Sequence, residues 1–567
     1  MRDKRTFLDK DFNVQTWDSI KPFFEQLLSR DINSVQDLKQ WLLDRSELES
    51  VLSEDLAWRY IRMTGDTANQ ELVNAFNFFI AEIQPHVAPY TNALNKKAIE
   101  SPWLERIEED GFGILRRTLK KDFDIFREKN VPLFTELDQL AQQYGAIAGA
   151  MSVMIEGEEL TLQQASDYLQ SPDREVREQA YKTIAERRLK DKEELDALQD
   201  KLIKLRNEVA LNADYPNFRD YMFRSMGRFD YTPEDCYAFH DAVKSEVVPL
   251  LDDLAAERKR ALGVEVLKPW DSNVNYLGAA PLKPFETGEE LEEKTIECFT
   301  RIDPYLGECI AIMKKMGHLD LVSRKGKAPG GYNYPLDETG VPFIFMNATS
   351  SLRDLVTMVH EGGHALHSFL TKELPLNVFK QVPSEVAELA SMSMELISME
   401  HWDIFFPDKE DLIRAKREHL ESILSTLPWV AAVDKFQHWL YLHPGHTPEQ
   451  RKESWSTIVK EFSNTITDWT GVEDSQAYMW QKQLHIYEVP FYYIEYGMAQ
   501  LGAIAVWKNY KSNSERGYKA YQEALKLGYT RPIGAIYETA GIQFDFSKET
   551  IRNLIGFVQS ELSKLKL

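Results

Sequence analysis

His360-Glu361-Gly362-Gly363-His364 sits inside a run whose apolar residues recur at three- and four-residue spacing. Leu352, Leu355, Val356 and Val359 precede the pentad, and Ala365, Leu366 and Phe369 follow it. That spacing predicts one amphipathic helix carrying the whole motif. Two histidines at i and i+4 then share a face one turn apart, and both rings can reach a single zinc ion. The glutamate beside the first can take a proton from a water at the metal. Two adjacent glycines inside a helix cost on the order of 1 kcal/mol each relative to alanine. They make sense where a substrate or a neighbouring strand must approach the helix backbone closely.

Zinc with hydrolytic chemistry needs a third protein ligand and an open position. The metzincin pattern is excluded, because Leu370 stands where its third histidine belongs and His367 replaces its glycine. His367 lies on the motif face, but three histidines along one straight helix converge poorly on a tetrahedral ion. It reads as a supporting or structural residue. Ser384 to Glu395 offers three carboxylates, Glu385, Glu388 and Glu395, at spacings of three and seven. All three share one helix face, and periodicity alone does not choose among them.

Composition bounds the partners. The 567 residues carry 67 Lys+Arg against 90 Asp+Glu, a net charge of −23, and 43% apolar residues. A chain this acidic is a poor ligand for nucleic acid or anionic lipid, and its apolar content supports a large core. No apolar run approaches the length of a membrane helix. The charged start Met1 to Lys10 is not followed by an apolar stretch, so a secretory signal is not expected. Cys236, Cys298 and Cys309 show no CxxC spacing, which fits a reducing compartment and suggests neither a disulfide framework nor a cysteine zinc cluster. The expectation is a cytoplasmic protein; its oligomeric state is left open.

Most of the chain reads as helix. Residues 14–145 are helical in pattern, as is the stretch from Ser171 to about Leu211, with Ser171-Pro172-Asp173 as its start. Thr232-Pro233-Glu234-Asp235 and Thr447-Pro448-Glu449-Gln450 repeat that start signal. Turn residues concentrate between about Gly263 and Gly340, where strands are expected. Val341 to Met346 has strand character, and Leu336 to Gly340 reads as a hairpin connection. By composition this is a surface hairpin. Leu484 to Tyr496, rich in tyrosine, reads by composition as core aromatics, though His and Tyr can also donate to an oxyanion.

His360 to His367 resembles the zinc-binding segment of the M3 family of zinc oligopeptidases, and the oligoendopeptidase F and Pz-peptidase branch in particular. Pro342 to Asn347, Ala387-Glu388-Leu389-Ala390-Ser391, Asn217 to Tyr221 and Lys327 to Tyr332 carry the same likeness. The resemblance implies a mostly α, two-lobed metallopeptidase of the zincin type, with a deep channel and a small β-hairpin or sheet beside the active site. It implies an N-terminal helical lobe over 1–160 and a catalytic region over 161–567. One zinc ion would be held by His360, His364 and Glu388, with Glu395 behind them and Glu361 as general base. His485 and Tyr496, with Tyr493 one turn away, would stabilise the oxyanion, while the likeness does not choose among Tyr487, Tyr492 and Tyr493. Asp354 falls where the family has an acid. Ala328, Gly330, Gly331 and Tyr332 would border the substrate channel and offer a strand edge to an extended peptide. The implied activity is endopeptidase cleavage of short, unstructured peptides. A metallocarboxypeptidase on a similar helical fold and a non-catalytic peptide-binding protein are the alternatives.

Overall fold

Helices built from the predicted periodicity account for most of the chain in the computed structural model, which describes residues 5–565 apart from Leu277 and Pro329. Residues 1–4 of the charged start and Pro329 of the glycine-rich loop therefore lie outside the described residues. Leu8 to Leu119 close an apolar core of their own, which Leu376 and Phe379 join from the far part of the chain. A second, larger core runs from Leu140 to Leu562 and encloses the motif helix. A small third cluster of Ala57, Ile61, Leu336, Phe343 and Phe345 bridges the N-terminal helix Val35–Gly65 and a β-sheet.

The start signals hold at Thr232 and Thr447, each of which caps its helix reciprocally with Asp235 and Gln450. At 171–211 the outcome differs. Two helices form, Arg174–Lys190 and Lys192–Asn212, and the first is capped by Asp173, whose carboxylate accepts from the Glu175 amide at 2.9 Å. A carboxylate is the stronger cap because it also answers the helix dipole. Ser171 and Pro172 lie before the helix, and their carbonyls accept from Arg177.

Five short strands form among the described residues. β1 (Ser152–Ile155) and β2 (Glu158–Thr161) pair antiparallel, a hairpin that sequence reading does not foresee. Its two-residue turn, Glu156-Gly157, has both residues at positive φ, the conformation that suits a tight hairpin. β3 (Leu319–Val322), β4 (Tyr332–Tyr334) and β5 (Phe343–Ala348) form the second sheet in the order β3-β5-β4. β4 and β5 are the expected hairpin; β3 adds to β5 in parallel. β5 is buried nearly throughout and leads directly to the motif helix. Among the described residues, no helix is long and apolar enough to cross a membrane.

Candidate active site

The motif helix is Leu352–Thr371. Ser351 caps it, and Asp354 completes the cap by accepting from the amides of Thr349 at 2.8 Å and Ser351 at 2.9 Å. Asp354 thus fixes where the helix begins. Beside it runs the carboxylate helix Ser384–Ser398. Gly363 explains the closeness of the two: a Cβ there would fall 2.6 Å from Cα of Ser391 and 2.7 Å from the Ala390 carbonyl. A Cβ at Gly362 would meet the ring of Phe299 at 2.5 Å. The backbone approach expected from the two glycines is therefore made by a helix and an aromatic ring, not by a substrate or a strand.

That contact brings Glu388 to the histidines. Its Oε2 lies 3.4 Å from Nε2 of His360 and 3.8 Å from Nε2 of His364. One ligand atom from each of the three residues falls within 4.8 Å of the others, a grouping suited to a single metal ion. Two of the three are held from behind. Nδ1 of His360 meets Oε1 of Glu395 at 2.6 Å, the carboxylate–histidine arrangement that orients a metal ligand. Glu388 accepts from the hydroxyls of Ser391 at 3.1 Å and Tyr492 at 3.2 Å. Burial would raise the Glu388 carboxyl, but hydrogen bonding to His360 and the neighbouring His364 hold it at about 2. The side chains of both histidines keep 20% exposure, so the group is reached from one side.

Glu361 points into the same space and is 7% exposed. Burial pushes its carboxyl up to about 7, with Glu388 adding to the shift and His360 opposing it. A carboxylate so placed takes and gives a proton near neutral pH. The remaining glutamate of the face, Glu385, accepts from Tyr231 at 2.6 Å and stands apart from the histidines. His367 is buried, hydrogen-bonds to the backbone of Leu525 and is outside the ligand group, and burial lowers it to about 3.

The aromatic segment folds as a short helix, Leu484–Glu488, a turn, and the helix Ile494–Ser512. Nδ1 of His485 is 2.7 Å from Nε2 of Gln483. Burial lowers His485 to about 4, so the ring is neutral, and acceptance at Nδ1 leaves the Nε2 hydrogen free to donate. Tyr493 and Tyr496 pack edge-on to it at 4.9 and 5.8 Å. Burial pushes Tyr493 up to about 12 and Tyr496 higher, with Glu388 adding to the latter, so both hydroxyls keep their protons. Tyr487 parts from this group: it is fully buried and stacks on Tyr144 at 4.3 Å. Tyr492, by contrast, reaches Glu388 of the candidate metal group.

β4 is the edge strand of its sheet and lies against the motif helix, tied by a contact at 3.4 Å from the Asn333 side chain to the Glu361 carbonyl. The amide of Asn347 ties the glycine loop down through the carbonyls of Ala328 at 2.7 Å and Gly330 at 2.9 Å. Gly331 faces the Phe345 carbonyl, where a Cβ would come within 3.4 Å. The Tyr332 ring turns inward, stacked on Phe345 at 4.7 Å with its hydroxyl 2.6 Å from Thr64. Asn333 and Tyr231 escaped sequence reading, since each acts through a contact distant in the chain, and Gln483 escaped it because nothing in its composition marks it as a partner of His485.

Comparison with known proteins places the chain in a family. The profile of peptidase family M3 matches residues 167–555, and that of the peptidase M3 N-terminal domain matches residues 7–126. Group B oligopeptidase PepB of Streptococcus agalactiae is 23% identical over 540 residues, 91% of this chain and 87% of that protein. An oligoendopeptidase F homolog of Lactococcus lactis is 23% identical over 72% of this chain and 66%, just under two thirds, of its own length. Among solved structures, Pz peptidase A with an inhibitor superposes with a TM-score of 0.91 at 26% identity, covering 100% of this chain and 99% of that one. Oligoendopeptidase F from Enterococcus faecium shares the fold, with a TM-score of 0.65 at 17% identity over 97% of each chain. With more than half of its length matched by the family profile and its helices laid out as in these structures, the chain belongs to peptidase family M3, a family of hydrolases.

Proposed function

We propose that this chain is a zinc-dependent endopeptidase that hydrolyses internal bonds of short, unstructured peptides. The observation that carries the reading is the convergence of His360, His364 and Glu388 next to a buried Glu361. Two imidazoles and a carboxylate are a donor set of the kind zinc uses in hydrolases, and Glu395 and Ser391 already orient two of the three. Zinc held there supplies Lewis-acid chemistry, polarising the scissile carbonyl and acidifying water.

The chain's own residues do the rest. Glu361 takes a proton from the attacking water and delivers it to the leaving amine as the C–N bond breaks. His485 through Nε2–H and Tyr496 through its hydroxyl donate to the oxygen that gains charge, with Tyr493 packed against both. The backbone from Ala328 to Tyr332 offers the edge of β4 to an extended peptide. The N-terminal lobe, 1–160, would wall a channel whose floor belongs to the catalytic region, 161–567. In support, Leu8 to Leu119 close a core separate from the one around the motif helix, which Leu140 to Val153 already join. Three free, buried cysteines suit a reducing, cytoplasmic setting.

A library of short peptides blocked at both ends, incubated with and without a zinc chelator, tests the reading. Internal cleavage that the chelator stops and added zinc restores is expected. Cleavage confined to unblocked C-termini would favour a carboxypeptidase, and no cleavage of any peptide would favour a binding protein.

A further inference from the structure

Cys236 and His240 lie four residues apart on the helix Pro233–Glu246, and Asp434 and His438 lie four apart on the helix Lys409–Leu442. Each pair occupies one helix face, and the two faces meet. One ligand atom from each of Cys236, Asp434 and His438 falls within 4.8 Å of the others. All three residues are buried, at 0, 0 and 2% exposure. Nε2 of His240 is 2.8 Å from Oδ2 of Asp434 and orients that carboxylate. Nε2 of His438 is 3.3 Å from the same oxygen without making a hydrogen bond to it.

The polar atoms of this group are conspicuously unmatched. Oδ1 of Asp434, both ring nitrogens of His438 and Nδ1 of His240 are buried with no hydrogen-bond partner. Buried polar groups left unpaired are costly and rare. Two of them, Oδ1 of Asp434 and one ring nitrogen of His438, stand with the Cys236 sulfur where a single cation could take all three, and no side chain does.

We propose that Cys236, Asp434 and His438 form a second metal site, a structural one for zinc, with both carboxylate oxygens of Asp434 among its four donors and His240 holding Asp434 in place. Sulfur, imidazole nitrogen and carboxylate oxygen are together the donors zinc accepts. A thiolate and a carboxylate balance its two positive charges. The nearby guanidinium of Arg228 pairs through Nη2 with Glu495 at 2.9 Å, and its remaining positive charge favours a thiolate at Cys236. A surface cleft lined by Tyr237, Lys435 and Trp439 reaches His438 and provides a path of access.

The site would brace the catalytic loop without taking part in the chemistry. Gln437, between the two ligands on its helix, accepts from the Phe491 amide at 2.6 Å, and the His438 ring meets Phe491 edge-on at 5.4 Å. Phe491 is held at φ 68°, a conformation unusual for a bulky residue, immediately before Tyr492. An ion fixing the 434–438 turn therefore fixes the kink from which the tyrosines of the active site emerge.

The test uses the full-length protein stripped with chelator and reloaded with zinc or cobalt chloride. Elemental analysis should find two zinc ions per chain in the parent and one in His360→Ala/His364→Ala. Cobalt in that double variant should give a thiolate-to-cobalt charge-transfer band in the near ultraviolet. The His360 site has no cysteine among its residues and cannot produce one. Adding Cys236→Ser should abolish the band and the remaining ion. A double variant that is folded by circular dichroism yet takes up no metal would overturn the proposal. So would one that binds metal with no thiolate band. Should the triple variant fail to fold, the band in the double variant still decides. These readouts involve no peptide cleavage, so failure of the peptidase reading leaves them independent.

Discussion

The two candidate metal groups are built alike and finished differently. In each, two ligands four residues apart on one helix meet a third from a neighbouring helix, and a further residue orients one of them: Glu395 behind His360, His240 behind Asp434. At the motif helix the histidine side chains keep 20% exposure and the carboxyl of Glu361, the proposed base, stands beside them. At Cys236 the side chains of Asp434 and His438 are 0 and 3% exposed, and the unpartnered ring nitrogens of His240 and His438 are sealed from solvent. An opening on one side and a proton carrier separate a site able to turn over a substrate from one able only to hold its ion.

The largest expected effect breaks the open group alone. Glu361→Gln should lower kcat for peptide cleavage by about 10²–10⁴-fold while leaving metal content unchanged. Stopped assays alongside elemental analysis measure both, and loss of metal in step with activity would refute the assignment as base. Next, Glu395→Gln should weaken zinc binding at the motif helix by about 10–100-fold. Competition with a chromogenic chelator reads this, and the cobalt–thiolate signal of the buried group should not change.

Gly363→Ala probes the helix contact that supplies the third ligand. A methyl group placed 2.6 Å from Cα of Ser391 must push the carboxylate helix away. A loss of about 1–3 kcal/mol in urea unfolding is expected, together with weaker zinc retention, because Glu388 moves with Ser391. An unaltered midpoint would show that the helices have slack.

The smallest effect concerns His367, which shares the motif helix but not its chemistry. Burial lowers it to about 3 from an ordinary 6.5. Between those values the unfolded chain binds a proton that the folded chain refuses, so this residue makes stability rise with pH across that window and contributes no slope above it. His367→Gln should flatten the acid limb by up to about 1.4 kcal/mol per pH unit. Chemical denaturation at pH 5 and 7 measures the change; an identical slope would mean that the ring gains a proton in the folded state.

Local signals were readable from sequence wherever the physics is local. The motif helix, the caps at Thr232 and Thr447 and the β4–β5 hairpin all follow from spacing and turn chemistry within a few residues. Choices made by packing were not. Glu385, Glu388 and Glu395 are equivalent by periodicity, and only the Gly363 contact decides which one meets the histidines. Tyr487 and Tyr492 look alike in the chain, yet one is stacked in the core on Tyr144 and the other bonds Glu388. Cys236 and His438 are about two hundred residues apart in an otherwise ordinary pair of helices, so no local pattern announces their meeting.

The inward turn of Tyr332 carries a consequence for selectivity. With that ring spent on Phe345 and Thr64, the outer rim of β4 near Glu361 presents mainly peptide groups. Every peptide carries the same main-chain donors and acceptors, whatever its side chains. Such a rim weighs whether a chain is extended and narrow enough to lie alongside it, and ignores most of what the chain spells. Discrimination by shape without discrimination by sequence is what the proposed role in cleaving short, unstructured peptides would ask of that rim.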